Sequence, residues 1–276
     1  MWTELLWAAV LGLMLGSFAN VVIHRLPLML EQAWAADCHP DAPRPPRFDL
    51  LWPRSHCPHC HTPLSWRDLW PVLSYLLARG HCRHCHHPIS ARYMWVELAM
   101  AGVFAGLVTL HGWTLAAVLW CAWGFVLVCA ATIDARTTLL PDALTLPLLW
   151  LGLLSASFGW IPVQLDDALW AAALGYGVLR GTYHLFKALT GKEGMGFGDF
   201  KLLAALGAWT GMAAVMPMLL LASVLGVLYG GTQWALGRLQ RDQAMPFGPF
   251  LVTAAALHHL YLYTPKAWPW LQTWLP

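Results

Sequence analysis

Two aspartates, Asp134 and Asp199, lie at the ends of long apolar runs. Acidic side chains at membrane depth are energetically costly, so they are rare and usually functional. The two residues are 65 positions apart, but their side chains can meet if the helices that carry them are neighbours. Two adjoining carboxyl groups do not readily both ionise, so they share a proton. Such a pair can activate water with its ionised member and protonate a peptide carbonyl with the other, which is the chemistry of an aspartic protease.

Simpler explanations exist for each acidic residue near these runs. Asp134 closes its helix, where the helix dipole disfavours a negative charge, so an ion pair with Arg136 is the main alternative to catalysis. Asp199 opens its helix, and capping there is compatible with catalysis. Asp142 opens another helix after Pro141, and N-capping alone would explain it.

Two further charged residues accompany the aspartates. Glu97 lies close to Arg92 and Tyr93 where an apolar run begins, which favours a structural ion pair or a membrane-interface residue. Lys201 follows Asp199 by two positions. We expect Lys201 and Asp142 to support the active site.

Glycines at 194, 196 and 198 directly precede Asp199. They allow positive φ angles and close backbone approach, so an extended substrate can lie against this segment. We therefore expect Gly196 and Gly198 to form part of the active site. Gly-rich loops also cradle phosphate, but this one lacks the Lys-Ser/Thr ending of a P-loop and follows no strand, so phosphate binding is not expected.

Four cysteines form two CxxC pairs, Cys57/Cys60 and Cys82/Cys85. Four thiolates in two such turns suit a tetrahedral zinc ion, and a site with four Cys ligands is structural because no coordination position stays open. Redox pairs or reduced thiols are the alternatives. The many neighbouring histidines are interpreted as solvated.

Three cysteines lie outside these pairs. Cys121 and Cys129 fall within an apolar run and are expected to be packing residues. Cys38 is expected to be a free thiol in a loop.

The composition excludes an ordinary soluble protein. Only 11% of the 276 residues are charged and 58% are hydrophobic, whereas soluble domains are roughly 25% charged. The mean hydropathy is +0.53. The net charge of +2 is too small to indicate a nucleic-acid partner. Most of the protein's exterior is therefore expected to face the lipid bilayer.

Eight apolar runs are candidate membrane-spanning helices. They are Trp2–Ile23, Tyr93–Leu110, Trp113–Ile133, Ala143–Ile161, Ala168–Leu189, Phe200–Ala213, Val215–Leu236 and Gly248–Tyr263. The first is expected to be a retained helix rather than a cleaved signal peptide. We therefore expect an all-α polytopic membrane protein with a first transmembrane helix over residues 1–23, a small zinc-binding insertion over 24–92, and a seven-helix catalytic domain over 93–276.

Basic residues predict the orientation. Eight of the sixteen Lys and Arg lie in the polar insertion, and the loops expected on the opposite side near Gly112, Gln164 and Thr210 carry none. Positive residues favour the cytoplasmic side. The insertion and both aspartates, Asp134 and Asp199, are therefore predicted to be cytoplasmic, with both termini outside.

The motifs together resemble the bacterial type IV prepilin peptidase family of Gly-x-Gly-Asp-type membrane aspartic proteases. The matching stretches, in family order, are 16–27 (GSFANVVIHRLP), the two CxxC pairs, Ile133-Asp134, 139–142 (LLPD), 194–207 (GMGFGDFKLLAALG) and 246–250 (PFGPF). Met94 stands where the family usually has Pro.

The resemblance implies cleavage of positively charged leaders from prepilins and pseudopilins at the cytoplasmic face of the bacterial inner membrane. Asp134 and Asp199 match the family's catalytic aspartates, and the four paired cysteines match its zinc-type cysteines. The resemblance also implies methylation of the new N-terminus by S-adenosylmethionine. No residue is assigned to that methyl donor, and Glu97 is the one candidate contributor.

Three rival functions are compatible with parts of the sequence. An intramembrane protease of the signal-peptide-peptidase type shares the Gly-x-Gly-Asp element but leaves the CxxC pairs unexplained. A proton-coupled transporter would use the carboxylates as a relay, but no internal repeat is apparent. A non-catalytic, zinc-bearing assembly factor would tolerate substitution of both aspartates.

Overall fold

The computed structural model describes residues 2–41, 47–192, 194–238 and 245–267. They divide into two compact units, Met1–Gly112 and Trp113–Pro276. Within the described ranges the regular structure is helical, and strand pairing is limited to two isolated bridges. The predicted all-α fold is confirmed.

The first unit is built on two long helices, α1 (Trp2–Cys38) and α3 (Arg92–His111). The cysteine-bearing segment joins them and contains a 3₁₀ turn (Trp66–Leu69) and a short helix, α2 (Leu73–Leu77). Helices α1 and α3 approach closely because α1 presents Gly12 and Gly16. A Cβ at either position would lie 2.7 Å from backbone atoms of α3.

Helix α1 does not end near Ile23, where the apolar run ends, but continues to Cys38. The polar residue Arg25 is accommodated because its guanidinium, although buried, donates hydrogen bonds to the carbonyl oxygens of Asp49 at 2.9 Å and Pro53 at 2.7 Å. Residues 24–38, assigned to the polar insertion by the sequence pattern, are therefore helical.

The second unit contains six helices within its described residues. They are α4 (Leu115–Thr137), α5 (Asp142–Ser157), α6 (Leu165–Thr190), α7 (Phe197–Thr210), α8 (Met212–Ala235) and α9 (Gly248–Ala267). Beyond Asp199 and Lys201 in its first turns, helix α7 is apolar on every side, and it packs against α5, α6, α8 and α9. A helix that is apolar all round is stable only when it is surrounded. Helix α7 is thus the core of this unit.

Each predicted apolar run corresponds to one long helix of the described chain. Among the described residues, α1, α3, α4 and α8 are long and apolar enough to cross a membrane, and α5 is a shorter apolar helix. The total of eight membrane crossings stays a prediction.

Candidate active site and cysteine cluster

Asp134 lies in the last turn of α4, and its side chain is buried. The helix ends just beyond it because Thr138 adopts a left-handed conformation, with φ 52°. The Asp134 Oδ2 accepts a hydrogen bond from the backbone N–H of Gly248 at 2.8 Å. Gly248 is the first residue of α9, where the N–H groups and the helix dipole favour a negative charge.

Asp199 lies in the first turn of α7 and is also buried. Its Oδ1 makes no hydrogen bond to any residue that the structure describes. A buried polar atom without a partner is costly, and such atoms are found where a functional site needs them. Asp199 therefore presents an available carboxyl oxygen within a packed interior.

Two contacts link the surroundings of the aspartates: Leu140 lies against Gly198, the residue before Asp199, and also against Gly248, whose N–H binds Asp134. Helices α4 and α7 also meet at their other ends, where the Trp120 and Trp209 rings are 5.0 Å apart. At 1.5 Å per residue, each aspartate lies roughly 15–21 Å along its helix from its tryptophan. The helices are therefore antiparallel, and both aspartates lie at one end of the second unit.

The short link between α4 and α5 closes over this end of the unit. Its Leu140 is buried and contacts the backbone at both Gly198 and Gly248. A Cβ at Gly198 would lie 2.5 Å from Leu140 Cβ, and one at Gly248 would lie 2.7 Å from Asp134 Oδ2. Both positions therefore require glycine for close approach.

The glycines before Asp199 do not use positive φ angles. Gly196 is extended, with φ −78°, and neither Gly194 nor Gly198 is among the positive-φ residues. The close backbone approach that glycine also allows does occur at Gly198. A Cβ at Gly196 would lie 3.7 Å from Asp199 Oδ2, so this residue borders the carboxylate.

Asp142 does not cap α5 with its side chain, because Pro141 is the N-cap. Its carboxylate instead accepts hydrogen bonds from Lys201 Nζ at 2.6 and 2.7 Å. This ion pair ties the start of α5 to the first turns of α7, next to Asp199. The alternative pairing of Asp134 with Arg136 does not occur among the described ion pairs.

The four paired cysteines form one cluster in the first unit. The Sγ atoms of Cys57, Cys60, Cys82 and Cys85 all lie within 4.8 Å of one another. The Cys57 and Cys85 Sγ atoms are 3.8 Å apart. A tetrahedral zinc site with Zn–S bonds of about 2.3 Å requires S–S distances of about 3.8 Å. The cluster therefore has the dimensions of a four-thiolate metal site.

Comparison with known proteins identifies the family. Residues 10–111 match the bacterial peptidase A24 N-terminal domain, and residues 121–231 match the type IV leader peptidase family. A protein from Stutzerimonas stutzeri named prepilin leader peptidase/N-methyltransferase is 46% identical over 258 residues, or 90% of this chain and 88% of that protein. The chain belongs to the type IV leader peptidase family.

Other relatives carry the same name. The Aeromonas hydrophila protein is 47% identical over 252 residues, and the Pseudomonas aeruginosa protein is 43% identical over 253 residues. Each match covers 88% of this chain and 86% of the relative. No solved structure matches the chain. Family membership and the apolar helices make this a membrane protein.

In this leader peptidase family member, the cysteine segment contains an internal repeat that the CxxC spacing alone does not reveal. Residues 54–65 (RSHCPHCHTPLS) and 79–90 (RGHCRHCHHPIS) are identical at eight of twelve positions. Each copy folds into the same knuckle, with an isolated bridge between a His and a Pro, His56 to Pro63 and His81 to Pro88. Comparing the sequence with itself at an offset of 25 residues would have found it.

The pKa values of Cys60 and Cys85 are shifted in opposite directions. The hydrogen bond between Cys60 Sγ and the Thr62 hydroxyl lowers the pKa of Cys60 to about 6. A backbone hydrogen bond from His87 favours the Cys85 thiolate, yet burial and the neighbouring thiols raise the pKa of Cys85 to about 11. A bound cation would favour the thiolate form of the clustered cysteines, because metal binding displaces the thiol protons.

Glu97 is buried in α3 and is not paired with Arg92 in the described ion pairs. Its Oε2 accepts a hydrogen bond from the Val72 N–H at 2.8 Å, and Ser17 also hydrogen-bonds to the carboxylate. Glu97 therefore joins α1, α3 and the cysteine-bearing segment. Of the remaining cysteines, Cys121 and Cys129 are buried as expected, and Cys38 is an exposed thiol at the end of α1 rather than in a loop.

Proposed function

We propose that this chain is a membrane aspartic endopeptidase that removes the leader peptide from type IV prepilins or pseudopilins and then methylates the new N-terminus. The observation that carries the proposal is the burial of Asp134 and Asp199 at one end of the second unit, where Leu140 contacts both Gly198, beside Asp199, and Gly248, which binds Asp134. The relatives are named prepilin leader peptidase/N-methyltransferase, which supports both activities.

The surroundings of the two carboxyls suggest their separate roles. Asp134 accepts the Gly248 N–H at the start of α9, which favours its ionised form. In the proposed reaction, Asp134 takes a proton from water while Asp199 donates its proton to the carbonyl oxygen of the scissile peptide. The water oxygen bonds to the carbonyl carbon to form a tetrahedral intermediate. When the C–N bond breaks, the departing nitrogen receives the proton held by Asp134, and a hydroxyl of the intermediate returns a proton to Asp199.

Four further residues support this site in the proposal. Gly198 and Gly196 leave room beside Leu140 and Asp199. Asp142 and Lys201 hold α5 against α7 through their ion pair. None of the four takes part in bond making, since each acts through the position of an aspartate.

The proposed location of the site is the cytoplasmic face of the bacterial inner membrane. The support is the basic insertion, because positive residues concentrate on the cytoplasmic side. The same rule supports a cytoplasmic position for the cysteine cluster, and in that compartment disulfides are rare and paired cysteines more often bind metal.

The proposed metal is zinc, held by Cys57, Cys60, Cys82 and Cys85. The support is the number, type and spacing of the thiols. With four protein ligands the ion would brace the two knuckles and take no part in hydrolysis.

The proposed methyl donor is S-adenosylmethionine, which would supply an electrophilic methyl group to the new terminal amine. None of the described residues is assigned to it. The Glu97 carboxylate already accepts hydrogen bonds within the first unit, so we give it a structural role.

One experiment tests the peptidase and methylation proposals together. Purified protein in lipid nanodiscs is incubated with a prepilin, with and without S-adenosylmethionine, and the products are weighed by mass spectrometry. We expect a product cut immediately before its apolar helix, one methyl group heavier when the donor is present. A cut inside the apolar helix would favour the signal-peptide-peptidase type instead, and no cut would end the peptidase proposal.

A further inference from the structure

Six large apolar side chains are exposed between the two cysteine knuckles. They are Trp66, Leu69, Trp70, Leu73, Leu76 and Leu77, which we call the apolar patch, and each is between 46% and 76% exposed. Trp66 and Leu69 lie on the 3₁₀ turn and Leu73, Leu76 and Leu77 lie on α2, with Val72 (φ 58°) separating the two elements, and the Trp66 and Trp70 rings are 6.1 Å apart. Grouped apolar side chains of this size on a surface usually mark a site of interaction.

The polar residues of the same stretch face the second knuckle. Asp68 forms an ion pair with Arg83 at 3.3 Å, and its other oxygen accepts a hydrogen bond from the Ser65 N–H. The Tyr75 ring packs against Gly80, where a Cβ would lie 2.9 Å from the phenolic oxygen. Because these contacts fix the polar side of the stretch, the apolar patch is held outward.

The position of the patch relative to α3 indicates what it meets. Val72 lies in the middle of this stretch, and its N–H is bound by Glu97 of α3. Helix α3 has 20 residues, a length of about 30 Å, which matches the hydrocarbon core of a bilayer. Glu97 is the sixth residue of that helix, about 8 Å from its start. The bond therefore holds the patch beside the first two turns of α3, at the end of that helix that carries Arg92 and Tyr93.

The composition of the patch suits that level. Trp is enriched where lipid headgroups meet the hydrocarbon, because its ring is apolar with one polar edge. The Arg67 guanidinium lies 5.2 Å from the centroid of the Trp66 ring, which places a cation beside the aromatic side chains. Basic residues there are attracted to anionic headgroups.

We propose that the apolar patch inserts into the interfacial layer of the lipid bilayer beside α3. The insertion holds the cysteine-bearing segment on the membrane surface, as an amphipathic interfacial helix does. The occupant of the patch is thus lipid and not a second protein surface.

Photo-crosslinking in the full chain tests this directly. Trp70 or Leu76 is replaced by p-benzoylphenylalanine, and the protein is reconstituted into nanodiscs of phosphatidylethanolamine and phosphatidylglycerol. Pro58 is the matched control, because it is exposed on the first knuckle and the repeat has Arg at the equivalent position, 83. Leu73 provides a third position if either replacement lowers the yield.

After illumination, mass spectrometry of the peptides separates lipid adducts from protein crosslinks. We expect phospholipid adducts at positions 70 and 76 to exceed those at 58 by at least about tenfold, since only the former sit among headgroups. Crosslinks to protein, from this chain or a second copy, would overturn the proposal. So would lipid adducts equally frequent at all three positions.

Discussion

The cysteine cluster and the carboxylate pair are assembled in opposite ways. Each cysteine knuckle is made within twelve residues, and its two cysteines are positioned by hydrogen bonds of the same turn, such as His61 N–H to Cys57 O and His86 N–H to Cys82 O. The carboxylate pair instead depends on helix α4, helix α7, the first residue of α9 and a leucine in the link before α5.

This difference has an energetic consequence. The cysteine cluster is a local site, because its turns need little support from the rest of the chain. The carboxylate pair is a distributed site, because the positions of its two side chains depend on how several helices pack together. Substitutions that shift helix packing in the second unit are therefore expected to affect catalysis strongly. Substitutions in the knuckles are expected to stay local.

The largest expected effect is loss of either carboxyl. Asp134→Asn or Asp199→Asn removes one proton-transfer group, which should slow leader cleavage roughly 10²–10⁴-fold. The rate is measured by gel or mass spectrometry with a prepilin. Asp166→Asn is the matched control, because Asp166 is exposed in the first turn of α6. A variant at 134 or 199 with the wild-type rate would refute the assignment.

A smaller but still large effect is expected at Gly248. Gly248→Ala keeps the N–H but places a methyl 2.7 Å from Asp134 Oδ2, so the carboxyl must move. A displacement of about 1 Å can cost about 10²-fold in rate. Circular dichroism should show unchanged helix content.

Gly231→Ala is the control for this substitution, because a Cβ there meets open space. Equal rates for the two alanine variants would show that the start of α9 does not position Asp134. The carboxylate pair would then not depend on the packing of α9.

A substitution in a cysteine knuckle is expected to change metal binding and the stability of the cysteine-bearing segment only. Cys57→Ser removes one of four ligands, so metal content should fall from about one ion per chain and affinity by at least about 100-fold. Limited proteolysis should then cut within residues 49–90 while the helices of the second unit unfold at the same temperature. Cys38→Ser is the control, because Cys38 is exposed and outside the cluster. Destabilisation of the second unit by Cys57→Ser would contradict local assembly.

The smallest effect is expected at the ion pair of Asp142 and Lys201. Both side chains are partly exposed, at 55% and 29%, so the pair contributes about 1 kcal/mol or less. Asp142→Asn should lower the cleavage rate at most about fivefold. Exchanging the charges, with Asp142→Lys and Lys201→Asp together, should recover most of that loss. A loss as large as that of the carboxylate variants would mean that Asp142 acts in the chemistry itself.

The sequence predicted the local features well. Hydropathy located every long helix, and the spacing of the CxxC pairs predicted a metal-sized cluster. Hydropathy did not locate the end of α1. Arg25 looks too polar for a buried helix, but its guanidinium donates hydrogen bonds to the carbonyl oxygens of residues 49 and 53, which are distant in sequence. A buried polar residue is easily interpreted as the end of an apolar helix when its hydrogen-bond partners are distant in sequence.

The distributed site was only partly predictable. The two aspartates stood out because charge is rare in apolar runs, and the number of crossings predicted that they share a side. The hydrogen bond from Gly248 and the contacts of Leu140 could not be foreseen, since backbone donors carry no residue signature. The partner of Asp142 was likewise 59 positions away, at Lys201.

A double-variant cycle of leader cleavage measures most directly whether Asp134 and Asp199 work as one unit. Rates are compared for wild type, each Asp→Asn variant and the double variant, all reconstituted in the same lipid. Groups that act together lose their function together, so the double variant should be no slower than the slower single variant. Losses that multiply in the double variant would show two independent contributions and would contradict a shared proton between these carboxyls.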